Sequence, residues 1–416
     1  MNERKVVITG RGVVSPLGVG FDAHWSGIVR NEARVGPLPR LTTLGLESSL
    51  GAEVRPELLA GHLAKLPRKQ HKLYNRMTLL AMIAATLAME DAGLTPADVV
   101  PIRFGVYLGV NVVSWELGML LGYLNASESE TRRGDMDLAR ANAYCMRAIN
   151  PLDYSLKTLP NLTAGYIAIA HNAQGMCRAY TDGAVGGLHA IGDAYRAIRE
   201  GDLDLALCGG ADAQIEELVY ASAVGMGIVA RDGGVGTGMI PGEGSALLVL
   251  EAEDRARDRG VVPRARILAL SSLLGGGRLA AQTDCDVLAA RLGRALLRGL
   301  SAAGIRRADV LALHQDGIAL VDEAERRAVA GLPVGARPLA TVAFKRLHGH
   351  LGAASPPAEV LACSALLEHD MLPPMISSSC ESVLPSLAPA TALVNAIGLF
   401  GEVACLALAA AEPRAG

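Results

Sequence analysis

Aromatic residues are scarce in this 416-residue chain, which holds 2 Trp and 4 Phe, and yet half of its residues are hydrophobic. Its apolar content is therefore mainly aliphatic. Charge of one sign is lacking as well. A formal net charge of −3 gives no basic footprint of the kind nucleic-acid binding needs. No apolar run approaches the ~18–20 residues of a membrane span. A strand-like run already begins at Lys5, so no secretory leader is read ahead of it. The seven Cys are scattered without a C-x-x-C pair. That pattern fits reduced, mostly buried thiols in a cytoplasmic protein. His348 and His350 alternate with no Cys or carboxylate set beside them, so no metal site is expected. The run from Gly233 to Gly238 lacks the Lys and Ser/Thr of a phosphate-binding loop and reads as a flexible turn.

What is present alternates. Short β-branched runs at 5–9, 205–208 and 246–250 are interleaved with alanine-rich helical stretches at 78–91 and 186–199. This is the pattern of an α/β fold with buried sheets. The length alone allows two or three domains.

Several motifs carry more. Lys5 to Gly18 reads K-V-V-I-T-G-R-G-V-V-S-P-L-G, Arg76 to Leu94 is an alanine-rich helix closing on D-A-G-L, and Gly201 to Asp212 reads G-D-L-D-L-A-L-C-G-G-A-D. Gly242-Glu243-Gly244 precedes a strand ending at Glu251. Tyr180 to Gly192 reads Y-T-D-G-A-V-G-G-L-H-A-I-G. Downstream lie His314-Gln315-Asp316-Gly317-Ile318 and Lys345-Arg346-Leu347-His348-Gly349-His350. In order and spacing these segments resemble the β-ketoacyl synthase family, nearly end to end. The resemblance implies a thiolase-like α/β fold: two pseudo-repeated halves, 1–255 and 256–416, in a five-layered αβαβα unit meeting near Asp254 to Val262.

The family's active-site segment carries a Cys nucleophile in T-A-C-A-x-G-x-x-A-I-G. Here, counting back from Gly192, that position is Ala184. A methyl group cannot take an acyl chain as a thioester. In the family the nucleophile sits at a helix N-terminus, whose dipole and N–H groups stabilise a thiolate. The matching helix here is 186–199. The family's two histidines, which help decarboxylate malonyl thioester and stabilise the enolate, match His314 and His350. Lys345 matches the family lysine and is expected to hold a buried carboxylate, with Glu325 as the candidate. Departures accompany the lost Cys. Both Thr of the family's H-G-T-G-T are gone, and its G-F-G-G-T-N loop becomes Gly398-Leu399-Phe400-Gly401-Glu402-Val403. Phe400 and Gly398 fall in the loop that gates acyl chains in the family. Trp115, Met119, Leu121 and Tyr123, within 112–150, are candidates for a tunnel or interface.

Lys65, Arg68, Lys69 and Lys72 are spaced to share one face if the segment is helical. The family's docking surface for acidic acyl carrier proteins includes basic residues in this region, and electrostatic docking suits such partners. No bound cofactor is implied, because acyl chains arrive on the phosphopantetheine of an acyl carrier protein. The resemblance is nearest to the chain length factors, which lack the Cys and pair with an active ketosynthase. Three other readings remain: a synthase inactivated by Cys-to-Ala at 184, a malonyl-carrier decarboxylase, and a scaffold that only stabilises its partner. Retention of both histidines departs from the aromatic-polyketide chain length factors and suits a more divergent system.

Overall fold

The computed structural model describes residues 3–66, 71–111, 115–233, 238–276, 279–369, 377–378 and 389–411. Ten strands build its central sheet. They are β1 (Val6–Ser15), β2 (Phe104–Val110), β3 (Cys177–Tyr180), β4 (Leu205–Ala213) and β5 (Glu243–Ala252), then β6 (Ala265–Leu273), β7 (Val310–Ala312), β8 (Ala340–Val342), β9 (Thr391–Ile397) and β10 (Val403–Ala410). Two-residue strands at Gly18–Val19 and Ser377–Ser378 attach to it.

The first five strands run in the spatial order β1-β5-β4-β2-β3, and the last five in the order β6-β10-β9-β7-β8. Orientation repeats as well. The pairs β1/β5 and β5/β4 are antiparallel, while β4/β2 and β2/β3 are parallel. The same sequence holds for β6/β10, β10/β9, β9/β7 and β7/β8. The chain thus uses one topology twice, changing over between β5 and β6. The two runs touch where Val6 to Ile8 of β1 pair with Ala265 to Ile267 of β6.

Eight helices matter for the site: α1 (Arg76–Asp91), α2 (Leu117–Ser127), α3 (Leu138–Ala148), α4 (Gly186–Arg199), α5 (Glu217–Gly225), α6 (Cys285–Ala302), α7 (Ala319–Ala330) and α8 (Ser355–His369). Helix α1 covers the outer face of the first run and α6 that of the second. Helices α4 and α8 lie between the runs, touching each other and both of them. The result is the five-layered α/β arrangement of the thiolase-like fold. Burial follows the layers. Leu80, Ile83, Phe104 and Val249 belong to one apolar cluster, Leu292, Leu296, Leu311 and Leu393 to another, and Leu188, Ile191, Val360 and Leu361 to the central one.

Each helix has a local cause. Asn75 caps α1, its side chain accepting the Thr78 N–H at 2.7 Å. In α4 the less buried His189, Asp193 and Arg196 recur on one side, and the other faces are buried. Helix α8 is buried at every position from Ser355 to Leu367, as a helix enclosed on all sides must be. Its Pro356 and Pro357 fall in the first turn, where a missing N–H costs nothing.

The strands run further than their β-branched stretches predict. Gly10 and Gly12 lie inside β1 rather than in a turn after it. A Cβ on Gly12 would stand 1.9 Å from the Ala84 carbonyl oxygen, so glycine here lets α1 lie directly on the strand.

Candidate functional site

The topological repeat gathers the site. In an α/β sheet, ligands bind beyond the carboxyl ends of parallel strands. Asn111 follows β2, and Ala184 lies on the turn between β3 and α4. His314 follows β7, and His350 lies on the segment between β8 and α8. These four residues, one pair from each half, line a single cavity of about 380 Å³. The remaining wall is largely apolar and includes Val219, Met226, Ile228, Met239, Ile318 and Leu399.

Ala184 sits in a short 3-10 turn, Gly183–Val185, that leads directly into α4, and it is 6 % exposed. Ala184 is therefore at the positive end of a buried helix. One tie fixes this turn from outside the cavity. The His189 imidazole bridges Asp182 Oδ2 and Ser272 Oγ, each at 2.8 Å, and so links the turn to β6.

The two histidines stand edge to face with ring centroids 5.7 Å apart. His314 Nδ1 accepts the Ile397 N–H at 3.3 Å, which places a neutral ring's proton on Nε2. His350 Nδ1 lies between a donor and an acceptor, the Gly352 N–H and Gln214 Oε1, each 3.1 Å away. Burial pushes the His350 pKa down to about 3, helped by His314 and Lys345. A metal-ligating histidine normally donates its second ring N–H to an acceptor. His314 Nδ1 faces a donor and departs from that pattern, whereas His350 Nδ1 also meets the Gln214 acceptor; His314, Asp316 and His350 each bring one potential ligand atom within 4.8 Å of the others.

Asp316 is the site residue that the sequence reading passed over. It occupies the first Thr position of the family motif, and the visible signal was the loss of that Thr. Its Oδ2 lies 3.2 Å from His314 Nε2, and its Oδ1 accepts the Ile318 N–H at 3.0 Å. Burial opposes its ionisation, but the His314 hydrogen bond and the nearby imidazoles outweigh that and hold the pKa down to about 2. The loop around it is tight. Gln315 has φ +27° and Gly317 φ +95°, and a Cβ on Gly317 would meet the Gly238 carbonyl oxygen at 2.4 Å. That is why the middle glycine survives where both threonines do not.

Lys345 is buried and engages a carboxylate, but not Glu325. Its Nζ donates to Glu359 Oε1 of α8 at 2.6 Å. Glu325 is already committed: it accepts the His314 and Gln315 N–H groups at 2.8 and 3.0 Å and the Asn395 side chain at 2.5 Å. It therefore holds the His314 loop from α7, while Lys345 holds the His350 segment to α8. Asp212, from the G-G-A-D strand, accepts hydrogen bonds from Asn111, Gln214 and the Ala353 N–H. Burial raises its pKa to about 6.

Two expectations need correction. Phe400 does not line the cavity. It lies at the tip of the β9–β10 hairpin, closed by the Gly398 N–H to Glu402 bond of 2.7 Å, and is 47 % exposed. Gly398 and Leu399 border the cavity in its place. The Phe400 N–H donates to the Glu402 side chain at 3.1 Å. Trp115 also lies elsewhere. It stands edge-on to Tyr123 and Tyr154, with centroids 5.5 and 5.3 Å away, and lines a separate cavity of about 370 Å³ with Met119, Tyr74 and Arg76. The basic residues of 65–72 lie partly outside the described residues, and so does their shared helical face. Lys65 follows the helix Pro56–Leu63 and pairs with Glu90 at 3.4 Å. Lys72 is exposed, and Arg68 and Lys69 lie outside the described residues.

The sequence matches the β-ketoacyl synthase N-terminal domain over residues 3–256 and the C-terminal domain over residues 279–379. The chain belongs to the β-ketoacyl synthase family. Among curated proteins it is similar to nodulation protein E of Rhizobium sp. (strain N33), 28 % identical over 97 % of this chain and 99 % of that protein. It is also similar to the tetracenomycin polyketide synthase ketoacyl synthase beta subunit of Streptomyces glaucescens, 26 % identical over 90 % of this chain and 88 % of that one. Among solved structures, the ishigamide ketosynthase/chain length factor superposes with a TM-score of 0.79 at 23 % identity, covering 98 % of this chain and 99 % of that one. Ala184 lies within the part of the chain that matches the N-terminal domain of the β-ketoacyl synthase family.

Proposed function

We propose that this chain is a chain-length-factor-like subunit: a non-condensing partner of an active ketosynthase that shapes the cavity for acyl chains on an acyl carrier protein. The observation that carries the reading is Ala184, seated at the N-terminus of α4 in a cavity that His314 and His350 also line. Losing the nucleophile removes condensation and leaves the chamber. The similarity to a ketoacyl synthase beta subunit supports a place beside a partner.

A surface feature supports pairing. Strand β3 ends the sheet, and an unpaired edge is a template for a further strand. Large apolar side chains are exposed between β2 and β3, among them Leu138 at 70 %, Met146 at 83 % and Ile169 at 73 %. Such exposure marks interaction sites. Among the described residues no helix is long and apolar enough to cross a membrane. We place the complex in the cytoplasm.

The decarboxylase reading needs both imidazoles free to meet a malonyl carboxylate, and Asp316 occupies His314. The test is reconstitution with a neighbouring ketosynthase and acyl- and malonyl-carrier proteins, using this chain alone, with its partner, and as Ala184→Cys. Elongation only with the partner, unchanged by Ala184→Cys, is expected. Condensation by Ala184→Cys alone would overturn the reading and identify a disabled synthase.

A further inference from the structure

We propose that Asp316 makes this cavity accept neutral acyl thioesters and refuse malonyl thioesters, because its carboxylate stands among the donors that a malonyl carboxylate would need. The proposal rests on the reading that the cavity still receives carrier-bound thioesters.

The argument starts from proton placement. A malonyl group carries a free carboxylate, which needs donors. A neutral imidazole carries one N–H, so the two rings together offer at most two donors. His314 Nδ1 faces the Ile397 N–H at 3.3 Å, and the Nε2 edge of its ring meets Asp316 Oδ2 at 3.2 Å, so its N–H is consumed there. His350 Nδ1 lies 3.1 Å from both the Gly352 N–H and Gln214 Oε1, which leaves this ring at most one N–H for a ligand.

Charge placement completes it. One ligating atom each from His314, Asp316 and His350 lie within 4.8 Å of one another. A second carboxylate brought to these rings would sit at about that range from the first. Two carboxylates sharing one desolvated site do not both stay ionised. The cations on α7 are already paired, Arg326 and Arg327 with Glu323. Lys345 is held by Glu359, burial disfavours protonation of His350, and Asp322 on α7 adds an acid nearby. Asp316 cannot swing away easily, since the Ile318 N–H holds its second oxygen at 3.0 Å. A neutral acyl thioester meets none of this. Its chain faces the apolar wall, and its carbonyl brings no second charge to Asp316.

The test uses the full chain and small thioesters as probes: butyryl-pantetheine, malonyl-pantetheine and the methyl ester of malonyl-pantetheine. The ester has the shape of the malonyl group without its charge. Calorimetry should show the two neutral probes binding at least about tenfold tighter than malonyl-pantetheine, the direction set by like-charge repulsion at this range. Asp316→Asn, and separately Asp316→Thr, should bring the malonyl probe to within about threefold of its ester. Equal affinity of wild type for malonyl-pantetheine and its ester overturns the proposal without touching the partner reading. So does discrimination that persists in a folded Asp316→Asn. Failure of every thioester to bind overturns both.

Discussion

Lys345 and Glu359 form an ion pair in which both side chains are almost fully buried, at 3 % and 0 % exposure. Burial raises the Glu359 pKa to about 7 even though Lys345 pulls it down. Removing one member of such a pair strands the other in a medium of low polarity. We expect Lys345→Met to cost ~3–5 kcal/mol, and the double change Lys345→Met with Glu359→Leu to recover much of it. Urea unfolding of the two variants decides this, and equal losses in both would show that the pair is not coupled. At this scale the sequence revealed where a residue stood more readily than what it touched. Ala184, His314, His350 and Lys345 were legible because their motifs have fixed spacing. The partner of Lys345 was not, because Glu359 is 14 positions away on a helix and spacing does not specify which buried carboxylate faces an amine. Asp316 was missed for a related reason. A Thr replaced by Asp in a motif reads as a loss, and only the fold brings that carboxylate beside two imidazoles.

At the scale of elements, helix α4 spans the residues its pattern predicted, 186–199. The strands did not end where their β-branched runs end. Strand β4 continues through Gly209 and Gly210 to Ala213, and β1 continues through Gly10 and Gly12 to Ser15. Glycine reads locally as a break, but here it is the residue that allows a neighbouring layer to approach. Only the tertiary arrangement decides between those meanings. The contact is testable. Gly12→Ala places a methyl group against the Ala84 carbonyl of α1, and overpacking of this kind costs ~1–3 kcal/mol or more. A lowered thermal midpoint is expected. An unchanged midpoint would mean that α1 can lift from β1 freely.

For the molecule as a whole, acid should be more damaging than mild alkali. His24 and His348 are fully buried, with rings 5.7 Å apart. Neither Nε2 has a hydrogen-bond partner. Burial lowers their pKa values to about 3 and about 4. In the unfolded chain a histidine takes up its proton near pH ~6.5. Their contribution is therefore fully present above that value and is lost as pH falls toward the folded values. Asp322 and Asp212 have the opposite sign. Burial raises them to about 7 and about 6, so the stability linked to them is present at low pH and lost as pH rises through those values. The two sets oppose each other between pH ~5 and 7. Below the ordinary aspartate range near pH ~4, these carboxyls are protonated in both states and the histidine loss stands alone. Urea midpoints across pH 3.5 to 8 on the order of half-unit steps should be nearly level around neutrality and drop steeply at the acid end. A midpoint that holds level to the lowest pH would rule out the buried neutral histidines as the cause.

The all-round burial of α8 has a consequence for divisibility. The chain uses one strand order twice, and between the two runs lies a helix with no face fit for water. A lone half would have to carry that helix uncovered. Neither run is therefore expected to stay monomeric when produced without the other: the bared face of α4 or α8 would drive it to aggregate or to pair with a second copy.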